Sequence, residues 1–527
     1  MKIVASNNWF KKILENKLEL GFGFFVTIGL FFRLYQNSLT PLTSWDESIY
    51  AQLGVEFARR PYFIAFYNQE LWFEKSPLIA VLSALPQYFF PYNKFSIELL
   101  FTLISLVCLY MIYKLSKKIL IELSAYNFNF FTKTLKASFL KYFSLIPVAL
   151  VLTSSMFIQR SLIVNVDILL VFSFLGYYLF FESKYLKIFF ITFGVLSKSL
   201  LGFLPLLIDL VFNHRYWIQR KNWLELTSML IISNLWYIVA FFSYGNRFFN
   251  EHFGDHLFRR ASTAIETHTG DFGYYFLQLI TQSNYTGFLQ IIGIVVVILG
   301  LILHFKNNFK LKLFNRNISK SDIESKPGQS YNPKNSWLWQ FLCFGIIYLA
   351  IISFSQSKLE WYVLPVSIWS AFYVLILVAY VPKINQWILL PGIFIVIGLY
   401  SLYFQPLSYQ NNIKDLELVT LGRCMAKQPE DSINFFVDLE ERKARKELES
   451  SSQSIGSTFR YGGTPLFVYY SEKKVNFYYN IYESPENQKG SVVFSKNNLS
   501  VEQNNLVINS KSVCETANFL GFSTLNN

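Results

Sequence analysis

Apolar runs of about 17 to 20 residues recur along most of the chain, separated by lysine-rich connections. A helix of that length crosses the ~30 Å hydrocarbon core of a bilayer. In lipid the backbone N–H and C=O groups must pair among themselves, which restricts spanning segments to helices or closed barrels. The sequence therefore reads as a polytopic α-helical membrane protein. Composition agrees: 15% of residues are charged, against about 25% in soluble domains.

The net charge of +13 raises the question of nucleic acid, and its distribution argues against that partner. Residues 1–404 hold 34 basic and 20 acidic residues, and residues 405–527 hold 13 and 14. Connections assigned to the inner side carry 23 basic and 8 acidic residues, and those assigned to the outer side carry 11 and 12. That alternation is the positive-inside bias of a membrane protein, whereas a nucleic-acid site would gather its charge on one soluble face.

In order, residues 1–19 lie inside and the first span covers 20–36, read as a retained signal anchor. A polar outer loop follows at 37–75. The apolar stretch 76–91 is short and broken by Pro86 and Gln87, which suits a re-entrant or interfacial helix. Further spans are expected at 95–113, 142–159, 167–183, 224–242, 285–304, 337–354, 363–381 and 386–404. The run 188–213 is interrupted at Ser197-Lys198-Ser199 and reads as two short helices meeting at the outer face. This gives about 11 transmembrane helices in 1–404, outer loops 37–94 and 243–284, and inner loops 114–141 and 306–336. Residues 405–527 read as a small soluble α/β domain on the outer side, with strands at 433–438, 466–470, 475–479 and 491–494 and a helix-prone 438–450. Cys108 and Cys343 fall in apolar helices as packing residues. Cys424 and Cys514 stand either as a bridge or as two thiols.

The chemistry-bearing residues fall on the outer face: Asp46, Glu47, Arg59, Arg60, Glu74, Lys75, Arg160, Asp167, Lys198, His256, Arg259, Arg260, His268 and Lys358. Charges at bilayer depth are expensive and usually functional. Carboxylates supply a general base or metal ligands, and cations suit a phosphate. Each residue also has a plainer reading. Asp46-Glu47 and Asp167 suit helix starts, Arg59-Arg60 suit snorkelling, and Tyr274-Tyr275 and Trp361-Tyr362 suit an interfacial aromatic belt. Lys198 is the hardest to dismiss, because it interrupts a 26-residue apolar run.

Seven outer-face motifs, in order, resemble those of the GT-C superfamily of glycosyltransferases, in its bacterial aminoarabinose-transferase and protein-mannosyltransferase-like branch. They are Asp46-Glu47 with Tyr50-Ala51; Phe73-Glu74-Lys75-Ser76-Pro77, with Ser76 inserted; Asp167; Ser197-Lys198-Ser199, where the family has glycine after the lysine; Leu235-Trp236-Tyr237; Asp255-His256 with Arg259 or Arg260 and His268 before Tyr274-Tyr275; and Lys358 with Tyr362, Leu364 and Pro365. The resemblance implies a GT-C fold and inverting transfer of a sugar from a polyprenyl-phosphate donor to an extracytoplasmic acceptor: lipid A, a glycan or a protein. It implies Asp46 as base or acceptor-orienting carboxylate, Asp167 and Glu47 as its companions, and Arg59, Lys75, Lys198, Arg259, Arg260 and Lys358 around the lipid phosphate. Tyr50, Tyr274 and Tyr362 would line the substrate pocket. No cofactor is obligatory, and a divalent ion has an option at Glu74 with His256 or His268. The expected setting is the bacterial inner membrane, N-terminus cytoplasmic. The alternatives are a transporter or flippase of a charged lipid or solute, which would favour inverted repeats, and a non-enzymatic assembly factor.

Overall fold

The computed structural model describes residues 17–43, 45–125, 142–259, 269–314, 337–380, 389–406, 413–436, 464–478, 491–496 and 512–523. Helix α1 (Lys17–Ser38) leads to α2 (Asp46–Arg59), the hairpin β1 (Ala65–Tyr67) and β2 (Glu70–Trp72), and the short α3 (Leu78–Gln87). Then come α4 (Lys94–Ala125), α5 (Ile146–Leu152), α6 (Ser155–Leu162), α7 (Val166–Leu179), α8 (Lys184–Lys198) and α9 (Leu204–Phe212). Next are α10 (Arg220–Phe249), α11 (Tyr274–Gln282), α12 (Gly287–Phe314), α13 (Trp337–Phe354), α14 (Leu364–Tyr380) and α15 (Leu389–Phe404).

Among the described residues, six helices are long and apolar enough to cross a membrane, or seven if α6 and α7, bent by 107°, form one broken span. Leu78–Gln87, Gly287–Leu303 and Leu390–Phe404 are shorter apolar helices. Aromatic packing fills the centre, where Trp369 of α14 meets Phe341 and Phe344 of α13 and Phe174 of α7. Large apolar side chains left exposed, such as Phe24 and Phe25 on α1 and Leu224 and Phe242 on α10, are explained by a lipid surround rather than by water.

Three membrane-domain expectations are corrected. The expected span 142–159 is broken, because the Ser154 hydroxyl accepts the Phe157 N–H at 3.3 Å and starts a new helix. The expected inner loop at 114–141 begins later, since α4 runs on to Ala125. The expected outer loop 243–284 opens with helix instead: α10 continues to Phe249 through a kink at Gly245, whose φ of +54° suits a residue without Cβ. A wide π-type helix then covers Asn250–Arg259.

Beyond α15, helix α16 (Ile413–Met425) precedes β3 (Ser432–Phe436), α17 (Pro465–Ser471), β4 (Lys474–Tyr478), β5 (Ser491–Ser495), β6 (Ser512–Glu515) and β7 (Phe519–Ser523). The five strands form one mixed sheet in the order β4-β3-β5-β7-β6, with β3 parallel to both neighbours. Residues 466–470, expected as a strand, are helical. Pro465 sits in the first turn, where its missing N–H has no consequence, and the aromatic run packs as α17. Strands β6 and β7 and helix α16 were not expected, and 438–450 lies outside the described residues. Cys424 and Cys514 are joined by a disulfide that ties α16 to β6, while Cys108 and Cys343 are free and buried.

Candidate functional site

The candidate site is built around the interrupted run at Lys198. Helix α8 ends there, and Ser199 takes φ +51° and ψ −133°, a conformation that favours glycine. The chain then folds back through 199–203 so closely that a Cβ on Gly202 would lie 2.2 Å from the Gly194 backbone. Opposite, the Asn165 side chain turns the α6–α7 corner. Its carbonyl accepts the Ile168 N–H (2.9 Å) and its amide donates to the Arg160 (2.6 Å) and Ile163 (2.8 Å) carbonyls. That corner puts Asp167 in the first turn of α7, where the helix dipole attracts negative charge. Lys198 Nζ lies 2.5 Å from Asp167 Oδ1 and 4.0 Å from the centre of the Tyr362 ring. Three residues singled out from sequence therefore meet, and their ion pair is nearly buried, at 14% and 4% side-chain exposure.

The Phe73–Pro77 segment is pinned to the same helix end. The Ser76 hydroxyl, one of the departures from the resembled motif, donates to the Leu196 carbonyl. At its other end the Phe73 carbonyl accepts from His252 Nδ1 at 2.7 Å. With Nδ1 protonated, His252 Nε2 accepts from the Ser199 hydroxyl at 2.9 Å. Tyr237 donates to the Val195 carbonyl at 2.8 Å, and Trp236 Nε1 donates to Phe63 O at 2.6 Å. Half-buried Glu74 and Lys75 thus lie between two anchors on the α8 terminus. His252, buried from solvent, falls within the expected outer loop 243–284 and is not among the residues singled out from sequence. Its partners are 179 and 53 residues away in sequence.

Asp46 is half-buried at the start of α2 and has no hydrogen-bond or ion-pair partner among the described residues. Before it, Trp45 takes φ +75°, a second non-glycine residue in the left-handed region beside a candidate site residue. Glu47 is a structural neighbour: its Oε2 accepts the Thr43 N–H (2.7 Å) and hydroxyl (2.8 Å), closing the turn before the helix. Tyr50 is buried edge-on to Trp72 at 6.4 Å. Further along α2, Glu56 accepts from Gln52 Nε2 and the Gln69 N–H, both at 2.8 Å, and burial pushes its carboxyl up. Asn68, at the tip of the hairpin, pairs both its amide atoms with the backbone of Val475 (2.6 and 2.8 Å) on β4, the edge strand of the tail sheet.

The remaining residues scatter. Arg59 is exposed at the far end of α2, 5.2 Å from the centre of the Tyr92 ring and facing Glu472. It does not join Lys198. Lys358 is buried and donates to the carbonyls of Ile352 (3.3 Å) and Ser353 (2.5 Å) at the end of α13. Burial pushes its ammonium down, opposed by Asp271. Tyr274 is half-buried and edge-on to Tyr275, and both it and Lys358 lie against Gly270. Arg160 stacks on Trp361 at 4.5 Å. Arg260, His268 and the side chains of His256 and Arg259 lie outside the described residues. Among the described residues, no group of three His, Cys, Asp or Glu side chains is arranged to hold a metal ion.

No known sequence family matches the chain, and no curated protein matches it in sequence. Solved structures do. The crystal structure of ArnT from Cupriavidus metallidurans bound to undecaprenyl phosphate aligns with a TM-score of 0.63 at 13% identity, over 97% of this chain and 98% of that one. The apo form of the same protein aligns at 0.60 and 13%, over 99% and 98%. At that identity the likeness is one of fold, and it runs through both the membrane helices and the C-terminal sheet. The chain is a polytopic helical membrane protein that shares the fold of the ArnT structures and carries a small C-terminal α/β region.

Proposed function

We propose that the chain is an inverting glycosyltransferase that moves a sugar from a polyprenyl-phosphate donor to an extracytoplasmic acceptor. The observation that carries this reading is the convergence of Asp167, Lys198 and Tyr362 at a broken helix end, with Glu74 and Lys75 pinned beside them. An anionic carboxylate and several cations on one face, next to lipid, suit a substrate with a phosphate leaving group and an apolar tail. ArnT, whose fold this chain shares, was solved with undecaprenyl phosphate bound.

In this reading the acceptor nucleophile attacks the sugar's anomeric carbon, the bond from that carbon to the phosphate oxygen breaks, and the polyprenyl phosphate leaves. Asp46, half-buried and without a partner among the described residues, takes the acceptor proton. Lys198, Lys75 and the Arg259-Arg260 pair stabilise the charge that grows on the phosphate. Asp167 holds the Lys198 ammonium in place. Tyr362, beneath that ammonium, and Tyr274 line the pocket. Lys358 acts at one remove, fixing the 355–362 loop that carries Tyr362. The proposed arrangement has eleven spans, the N-terminus inside and residues 405–527 outside, in the bacterial inner membrane.

The test uses purified protein with a polyprenyl-phosphate sugar and an extract of envelope acceptors. Transfer is expected from the native chain and a loss of about 10²–10⁴-fold from Asp46→Asn. Undiminished transfer by Asp46→Asn would remove the base assignment. Transport of the lipid without transfer would move the protein to the flippase class. Cysteine labelling of residue 320 from the outside would overturn the topology.

A further inference from the structure

A second pair of carboxylates sits behind the Asp46 turn. Glu98, in the first turns of α4, is fully buried, and Glu47 is 1% exposed. Each uses one oxygen conventionally. Glu47 Oε2 accepts from Thr43, while Glu98 Oε1 accepts from Asn37 Nδ2 at 2.7 Å and lies 3.4 Å from Lys94 Nζ. The other two oxygens, Glu47 Oε1 and Glu98 Oε2, are both buried with no donor, and the two carboxyl groups lie against each other. Among the described residues, the charged and titratable groups that face the pair are Lys94 on α4 and Tyr469 and Tyr470 on α17, with Arg423 behind Tyr470 at 4.9 Å.

Two ionised carboxylates facing each other in a dry pocket repel, and such pairs ionise one at a time. Among the described residues the one cation in direct contact is Lys94, whose ammonium also donates to the Asn37 (2.8 Å), Thr40 (3.1 Å) and Pro41 (2.8 Å) carbonyls. One ammonium balances one negative charge. One proton between Oε1 and Oε2 balances the second and satisfies both orphaned oxygens at once.

We infer that Glu98 and Glu47 share a single proton across Oε2 and Oε1, and that this bond makes Glu98 a positioning residue for the Thr43–Glu47 turn. The consequence for transfer rests on the reading of Asp46 given above, since Asp46 lies in that turn. The proton belongs to the pair rather than to either residue. The same network reaches the Asp167 corner, because Asn37 Nδ2 also lies 3.3 Å from the Leu162 carbonyl.

Two Glu98 variants, with Asp46→Asn as a control, and three readouts test this. In infrared difference spectra at neutral pH, native minus Glu98→Gln is expected to show a protonated-carboxyl stretch, and the band is expected to survive in Asp46→Asn. Glu98→Gln can donate its amide N–H to Glu47 Oε1 and still accept from Asn37, so the turn should stay closed. Glu98→Leu cannot. Hydrogen exchange of the 40–50 peptide, which reports the Thr43 N–H, should match native in Glu98→Gln and rise at least about tenfold in Glu98→Leu. Transfer should fall less than about threefold in the first and about 10–10²-fold in the second, in turnover rather than in donor KM. Absence of the band, or its persistence in Glu98→Gln, overturns the shared proton. Equal exchange in both variants overturns the positioning role. Failure of the native protein to transfer overturns the proposed reaction instead, and leaves the spectroscopic and exchange outcomes decisive for the pair.

Discussion

Lys198 and Lys358 look alike in sequence, each a lone lysine that follows an apolar stretch. Their surroundings differ. Lys358 caps the last carbonyls of α13. Lys94 does the same beyond α1, and Arg33 does it for α15 through the Leu402 and Gln405 carbonyls. Helix C-termini leave carbonyls unpaired and carry partial negative charge, so a nearby cation is taken up structurally. Lys198 also ends a helix, but its ammonium crosses to Asp167 on α7 and lies over Tyr362. A carboxylate and an aromatic face are partners a substrate phosphate can share or displace, whereas buried carbonyls are not. The difference teaches that the partners of a cation, backbone carbonyls in one case and a carboxylate with a ring in the other, separate the two lysines where their sequence setting does not.

The sharpest break of this comparison is Lys198→Met. Turnover should fall about 10²–10³-fold, and the protein should lose about 3–5 kcal/mol of stability, because Asp167 is left buried and unpaired. Adding Asp167→Asn should restore most of the stability and none of the turnover. Thermal unfolding in detergent, measured beside transfer rates, reads both, and recovery of transfer in the double variant would make the pair structural. Lys358→Met comes next. It should lower stability by about 1.5–3 kcal/mol, the usual worth of hydrogen bonds from a charged donor, and leave turnover within about threefold. If instead Lys358→Met abolished donor binding and Lys198→Met did not, the assignment would be reversed.

Lys198 was legible in sequence because a charge within an apolar run is costly wherever the run spans. Asp167 was legible for a similar reason, and the structure brings the two together. The engagement of Lys358 was not legible, since its partners are backbone carbonyls and every residue has one. His252 was missed because its role depends on two contacts made far along the chain. Glu98 carried a signal that composition-level reading passes over: one carboxylate inside the expected 95–113 span. The broken 142–159 segment turns on a single serine cap within an apolar run, and hydropathy averages over it. In the tail, the run at 466–470 is aromatic enough for a strand, and only Pro465 hinted otherwise.

A smaller effect concerns the junction between the outer loops and the tail. The Leu42 N–H donates to the Tyr470 hydroxyl at 3.0 Å, four residues before Asp46. Tyr470→Phe leaves that buried N–H without a partner and should cost about 1–3 kcal/mol, with a modest fall in turnover and no change in the Lys198 pair. Reducing the Cys424–Cys514 bridge should loosen α16, against which α17 packs, and act in the same direction. Thermal unfolding of Tyr470→Phe with and without reductant tests whether both act through α17. Additive losses would show that they do not.

The smallest expected effect is at Ser199, where the resembled motif has glycine. A non-glycine residue at φ +51°, ψ −133° stores about 1–3 kcal/mol of strain. Ser199→Gly releases it. The change also removes the hydroxyl that donates to His252 Nε2, worth about 0.5–1.5 kcal/mol, and adds freedom to the unfolded chain at about 0.5–1 kcal/mol. The three contributions nearly cancel, so stability should change by less than about 1 kcal/mol. Ser199→Val keeps the strain, loses the hydrogen bond and adds a β-branched side chain, so it should be worse than either by several-fold in folded yield. Lys198 immediately precedes this backbone break, and its pairing with Asp167 should survive Ser199→Gly and fail in Ser199→Val. If Ser199→Gly lost activity as severely as Lys198→Met, the serine–histidine contact would be part of the chemistry rather than a brace for the break, and Lys198 would no longer stand alone in the comparison with Lys358.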